Sequence, residues 1–158
     1  VYGYLLRLTR RPDLADDAAQ ETFLRAYKGL PRYTEQGRFA AWLFRIAHRE
    51  GLRLLRREKL RSYLPFGPGV PEAQAGLDGS PEHVLRAGQS AARLEAALSG
   101  LTPQERATLL LRLQEDMRFK DIAGIMGCSL NTALGRMHNA RRKLKKALEQ
   151  EGDAGGRT

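Results

Sequence analysis

With 27 Lys and Arg against 18 Asp and Glu, the 158-residue chain carries a formal charge of +9 and is long enough for one modest core or two small ones. A single cysteine, Cys128, excludes an internal disulfide framework, and with three scattered histidines it offers no metal-ligand cluster. No apolar run approaches the roughly 20 residues of a membrane helix, and no charged-then-apolar secretion signal opens the chain. A soluble protein of a reducing cytoplasm, without membrane insertion, is expected.

Helical periodicity dominates, no alternating strand pattern or internal repeat is evident, and the fold class read from it is all-α. Val1 falls inside an apolar run, VYGYLLRL, that reads as a helix already under way, so residues upstream of it are expected. Residues 1 to 9 form the first expected helix, interrupted at Arg11-Pro12. A second runs from Asp13 to about Leu30, with Asp13, Asp16 and Asp17 suited to its positive end. On it Asp17, Gln20, Glu21, Leu24 and Lys28 share one face, and Phe23, Tyr27 and Leu30 share another that is expected to be buried. An acidic and amide face around an exposed leucine does not suit DNA; it suits a partner carrying arginines, or is simply solvated.

After Pro31 a polar loop, Arg32 to Arg38, leads into a third helix from Phe39 to Arg61. Tyr33, Thr34, Gln36 and Arg38 in that loop mix aromatic, hydroxyl, amide and cationic groups that suit unstacked bases, although Tyr33 fits an ordinary loop aromatic equally well. Phe39, Trp42, Leu43, Ile46, Ala47 and Leu54 form an expected buried stripe along the helix. Arg45, Arg49, Arg53 and Arg56, spaced by four, four and three, align along one exposed line. Like charges so aligned repel, which favours a polyphosphate partner over a merely solvated face.

Four prolines (65, 68, 71 and 81) and four glycines (67, 69, 76 and 79) mark a linker. Residues 62 to 85 hold three acids and no Lys or Arg, between a segment 1 to 61 with 14 basic and 7 acidic side chains and a segment 86 to 158 with 13 and 8. Two basic bodies joined by an acidic strap suit a polyanion, nucleic acid ahead of an anionic membrane. The expected organisation is therefore two small helical domains, 1 to 61 and 81 to 150, a linker over 62 to 80 and a frayed tail over 151 to 158.

Ser80-Pro81-Glu82 starts a helix to about Ser99, and Thr102-Pro103-Gln104-Glu105 spells a capping box for the next, 103 to 115. Helices over 119 to 126 and 130 to 149 follow, parted by Gly127 and capped by Ser129. Ile122, Ala123, Met126, Ala133, Met137, Ala140 and Leu144 face inward together, leaving Leu130, Asn131, Thr132, Leu134, Gly135, His138 and Asn139 outward. This is a helix-turn-helix pattern whose second helix offers its N-terminal half to the major groove, a pattern also met in plain bundles. Arg136, Arg141, Arg142, Lys143, Lys145 and Lys146 are expected to meet phosphates or solvent. No nucleophile with a base, paired carboxylates or phosphate-cradling glycine loop stands out, so neither an enzyme nor a cofactor is expected.

Three segments in order carry a family resemblance: DDAAQETFLRAY (16 to 27), FAAWLFRIAHREGLRLLRR (39 to 57) and the stretch from Leu101 to Leu144. They resemble regions 2.2, 2.3 with 2.4, and 4 of bacterial sigma-70 factors of the small extracytoplasmic-function (ECF) group. The resemblance implies an RNA polymerase sigma factor in the bacterial cytoplasm, associated with the nucleoid. It implies binding to core polymerase through the β′ coiled coil and the β flap, and control by an anti-sigma factor. By position it assigns the β′ contact to Asp17, Gln20, Glu21 and Leu24. The −10 element falls to Tyr33, Thr34, Gln36, Arg38, Arg45, Arg49, Arg53 and Arg56. The −35 element falls to Asn131, Thr132, Leu134, Gly135, Arg136, His138, Asn139, Arg141 and Arg142. Arg49 and Arg53 stand where the family usually has Asn and Asp, and Leu134 and Gly135 where basic and small polar residues are common. The alternative is an autonomous helix-turn-helix regulator, which would need its own dimer surface.

Overall fold

The computed structural model describes residues 1–62 and 96–154, all of whose regular elements are helices. In chain order these are α1 (Tyr2–Thr9), α2 (Pro12–Gly29) with a 3-10 turn (Leu30–Arg32), α3 (Phe39–Ser62), α4 (Pro103–Leu113), α5 (Phe119–Met126) and α6 (Leu130–Ala154). The linker and most of the helix expected over 81 to 99 lie outside the described residues; its end, 96–99, is helical.

Local chemistry sets the helix ends. Arg10 closes α1 in the left-handed region, at φ 59°, with its N–H donating to the Leu6 carbonyl, and Pro12 then opens α2 where a missing N–H costs nothing. The capping box forms as expected: the Glu105 N–H donates to Thr102 Oγ1 at 3.2 Å, and the Thr102 N–H donates to Glu105 Oε2 at 2.9 Å. Gly127, at φ 62°, ends α5, and Ser129 Oγ accepts the Thr132 N–H at 3.1 Å to start α6.

The short α1 is the centre of the packing. Its Tyr4, Leu5 and Leu8 are fully buried, and they belong to one apolar cluster that takes in Leu14, Ala15 and Ala18 of α2 and Phe44, Ala47 and Leu54 of α3. The same cluster includes Ala107, Leu110 and Leu111 of α4, Ile122, Ala123 and Ile125 of α5, and Ala133 of α6. The N-terminal and C-terminal helices are thus packed against each other. α1 crosses α3 at Gly51, where a Cβ would stand 3.0 Å from the Cδ2 atoms of Leu5 and Leu8, so any larger residue would have to push those buried side chains back. Arg106 ties the halves further, its buried guanidinium donating to the Leu8 carbonyl at 3.2 Å and the Leu98 carbonyl at 2.9 Å. A second cluster, Leu98, Leu101, Leu109 and Ala140 with Met137 and Leu144, seats α6 on α4.

Two burial expectations are corrected. On α2 the buried stripe is small: Ala15, Ala18, Ala19, Thr22 and Ala26 follow helical spacing and let α3 approach closely. Phe23 and Tyr27 therefore point to solvent, 54% and 77% exposed, and Leu30 is exposed with them. On α3 the buried face is Phe44, Ala47, His48, Gly51 and Leu54, which meets α1 and α5. Phe39 is 43% exposed, while Trp42, Leu43 and Ile46 are half-buried.

Candidate nucleic-acid and polymerase interface

The residues expected to make contacts lie on three surfaces. On α2, Asp17, Gln20 and Leu24 are exposed on one side of the helix, one and two turns apart. Glu21 is half-buried and less free, because Arg25 Nε donates to its Oε1 at 2.6 Å. The same Arg25 nitrogen reaches Glu50 Oε1 on α3 at 3.0 Å, which links the acidic face to the basic helix beside it.

The loop between α2 and α3 is organised by Glu35, whose Oε1 accepts the Gly37 N–H at 2.5 Å and the Tyr33 hydroxyl at 3.4 Å. Gly37 takes φ 67° to make that turn. Tyr33 stacks against Trp42 with ring centroids 4.8 Å apart and meets Phe39 edge-on at 5.6 Å. Three rings thus form a half-open platform at the start of α3, with Thr34, Gln36 and Arg38 exposed next to it in sequence.

Arg45, Arg49, Arg53 and Arg56 are all exposed, as their spacing predicts. They do not stand over open solvent alone. Arg49, Arg53 and Arg56, joined by Arg57 and Arg61, line a cleft of about 830 Å³ whose other wall is Ile125, Met126 and Gly127 of the helix-turn-helix and Gln104 of α4. Arg45 lies against Gly124, close enough that a Cβ there would meet its guanidinium at 3.2 Å. Glu50, itself buried, accepts from Arg53 Nε through Oε2 at 2.7 Å and so fixes one arginine of the row. Sequence reasoning passed over Glu50; its signal was a lone acid three residues before Arg53 inside an otherwise cationic stretch.

His48, also passed over, is 2% exposed. Its Nδ1 shares a hydrogen bond with Tyr4 Oη at 2.9 Å, while its Nε2 is buried with no hydrogen-bond partner. Burial, with Arg136, Arg56 and Arg49 nearby, holds its pKa down to about 4, so the imidazole is neutral at physiological pH. Burial and the charge of Glu115 likewise push the Tyr4 phenol up, keeping it protonated.

On α6, Asn131, Thr132, Leu134, Gly135, His138, Arg141 and Arg142 are exposed, and nothing lies within 4 Å of a Cβ built at Gly135. The first turns are open to a groove. Three expectations are corrected. Asn139 is half-buried, not outward. Arg136 is half-buried, with Nη1 out of contact with solvent and its charge felt at His48, so it turns toward α3. Lys143 is held by Glu105, Nζ to Oε2 at 2.7 Å, and secures α6 to α4. Burial pushes the Glu105 carboxyl up, but Lys143 and the Thr102 cap outweigh it and leave the group below its ordinary value.

Among the described residues no group of His, Cys, Asp and Glu is placed to hold a metal ion, and no helix is long and apolar enough to cross a membrane. What the geometry assembles is a helix-turn-helix with an open reader helix beside a second, arginine-lined helix, the equipment of a helical transcription factor.

Comparison with known proteins places that equipment. Residues 1–61 match the family model described as Sigma-70 region 2, and residues 91–144 match Sigma-70, region 4. The chain is 30% identical over 148 residues to RNA polymerase sigma factor YlaC of Bacillus subtilis, covering 94% of this chain and 85% of that one. It is 31% identical to the ECF RNA polymerase sigma factor SigE of Mycolicibacterium smegmatis, covering 94% of this chain and 57% of that protein. A solved structure of the sigma factor RpoE, in complex with the anti-sigma factor NepR from Bartonella quintana, has the same fold: the TM-score is 0.76 at 22% identity, over 94% of this chain and 89% of that one. The chain belongs to the sigma-70 family, in its ECF group of RNA polymerase sigma factors. It is a transcription initiation factor.

Proposed function

We propose that the chain binds core RNA polymerase through Asp17, Gln20, Glu21 and Leu24 on α2, which meet the β′ coiled coil, while the C-terminal helices meet the β flap. Residues 1 to 61 then serve as the −10 domain and 81 to 150 as the −35 domain. The exposed first turns of α6, with Asn131, Thr132, Leu134, Gly135 and His138 at the groove and Arg141 and Arg142 at phosphates, support reading of the −35 element. Asn139 and Arg136 join them when α6 is drawn away from α3. The aromatic platform beside Tyr33, Thr34, Gln36 and Arg38 supports capture of an unstacked base of the −10 element. Arg45, Arg49, Arg53 and Arg56 follow the adjoining backbone. The arrangement of these surfaces on one chain, in family order, is the observation that carries the reading.

The packing adds a requirement. Elements centred near −10 and −35 lie about 25 base pairs apart, roughly 85 Å at 3.4 Å per pair. A compact body of this length has a radius of gyration of only about 15 Å. The shared core must therefore part before both elements are held together, and an anti-sigma factor that favours the packed form would silence the chain. The protein works in the bacterial cytoplasm at the nucleoid and performs no bond chemistry itself; that belongs to polymerase. An autonomous regulator is disfavoured because two sigma regions, not one helix-turn-helix, match in order.

Pull-down with core polymerase followed by run-off transcription on a promoter library tests the proposal. Assembly with promoter-directed transcripts is expected. Operator binding without assembly would instead indicate the autonomous regulator.

A further inference from the structure

We propose that the cleft between α3 and the α4–α5 pair binds a small organic phosphate of the nucleotide class, its base against His48 and Gln104 and its phosphates on the arginine rim. The cleft differs from an ordinary DNA-facing surface in three ways.

First, most of its charge is unpaired within the cleft. Arg49, Arg53, Arg56, Arg57 and Arg61 line it from successive turns of α3, and among the described residues no carboxylate lines it. Glu50 engages Arg53 from outside the lining. Five guanidinium groups facing a low-dielectric wall repel one another until an anion joins them, and their planar forks match phosphate oxygens.

Second, the wall is apolar. Leu52 and Leu60 of α3 face Ile125 and Met126 of α5 across a space of about 830 Å³, the size of a small-molecule site. A bare inorganic anion leaves such a wall uncovered. A flat ring covers it.

Third, two buried polar atoms on that lining have no hydrogen-bond partner, His48 Nε2 and Gln104 Oε1. A buried polar atom left unsatisfied is costly, so a pair on one cleft marks a place where donors and acceptors are to be supplied from outside. The edge of a nucleobase carries both.

The regulatory consequence rests on the sigma-factor reading. A ligand touching α3 on one side and α4 and α5 on the other binds the packed form and not the parted one, and it also occupies Arg49, Arg53 and Arg56. It therefore shifts the population away from promoter binding, and only by as much as its affinities for the two forms differ.

Isothermal titration of the full chain with ATP, GTP and inorganic tripolyphosphate, at one ionic strength, tests the site. The expected result is saturable one-to-one binding of at least one nucleotide, at least tenfold tighter than tripolyphosphate. Gln104→Met, at a half-buried position, is expected to bring that nucleotide to the tripolyphosphate level, and the double variant Arg57→Ala, Arg61→Ala to weaken both ligands. No saturable binding, equal affinity for tripolyphosphate, or a Gln104→Met chain that binds like the parent would each overturn the proposal. Assembly with core polymerase, measured without added nucleotide, decides the functional reading separately: a chain that assembles but binds no nucleotide sinks only this site, and one that binds nucleotide but never assembles sinks only the sigma-factor contacts.

Discussion

Helices α3 and α6 both carry aligned basic side chains, yet the packed fold presents them differently. The first turns of α6 are bare: Asn131, Thr132, Leu134, Gly135 and His138 are exposed. The cations of α3 instead share a cleft with α5, and Arg53 is already held by Glu50. One helix start stands clear while the other row of cations faces a neighbouring helix across a cleft. The difference teaches that helical spacing shows which side chains align but not what stands opposite them, since that depends on contacts far apart in the chain.

The largest expected effect comes from breaking the core that sets the two helices side by side. Leu111 is fully buried in α4, in the cluster shared with α1, so Leu111→Ala should lower unfolding free energy by about 2–5 kcal/mol in urea. The unfolding should remain a single transition. Two separate transitions, with only one moved, would mean that the halves do not share a core.

Acid probes the α3 side of the comparison through His48. The group takes up its proton near 6.5 in the unfolded chain and near 4 in the folded one, so the unfolded state binds more protons between those values. Stability is thus complete above about pH 6.5 and falls as pH drops toward 4, by about 3 kcal/mol from this group. Fluorescence-monitored urea midpoints across that range check the slope, and His48→Gln, if folded, should flatten it. A parent chain equally stable at pH 7 and pH 4.5 would contradict the burial of a neutral imidazole.

On the α6 side the expected effect is smaller. Thr102→Ala removes half of the capping box and should cost about 1 kcal/mol, without changing the exposure of α6. A loss within experimental error would show that the Glu105–Lys143 pair alone holds the start of α4.

Much of this was legible in the chain. The capping box, the Gly127 turn, the Ser129 cap and the exposed arginine spacing all follow local rules, and the structure has each of them. The apolar misreadings share one cause, the choice of which face is buried. Phe23 and Tyr27 drew attention by size, but alanines at 15, 18, 19 and 26 won because small residues let α2 and α3 come close. His48 and the inward turn of Arg136 depend on how α1, α3 and α6 meet across long stretches of chain, and no local pattern reports that.

The arginine row on α3 and the open helix α6 should end on the same promoter. The salt dependence of promoter binding by the assembled polymerase, compared for the parent and an Arg45→Gln, Arg49→Gln, Arg53→Gln chain, tests this most directly. If all three arginines reach phosphates, the slope of log affinity against log salt should become shallower by about 0.9 for each lost contact. An unchanged slope in a variant that still assembles would contradict it and take α3 off the DNA.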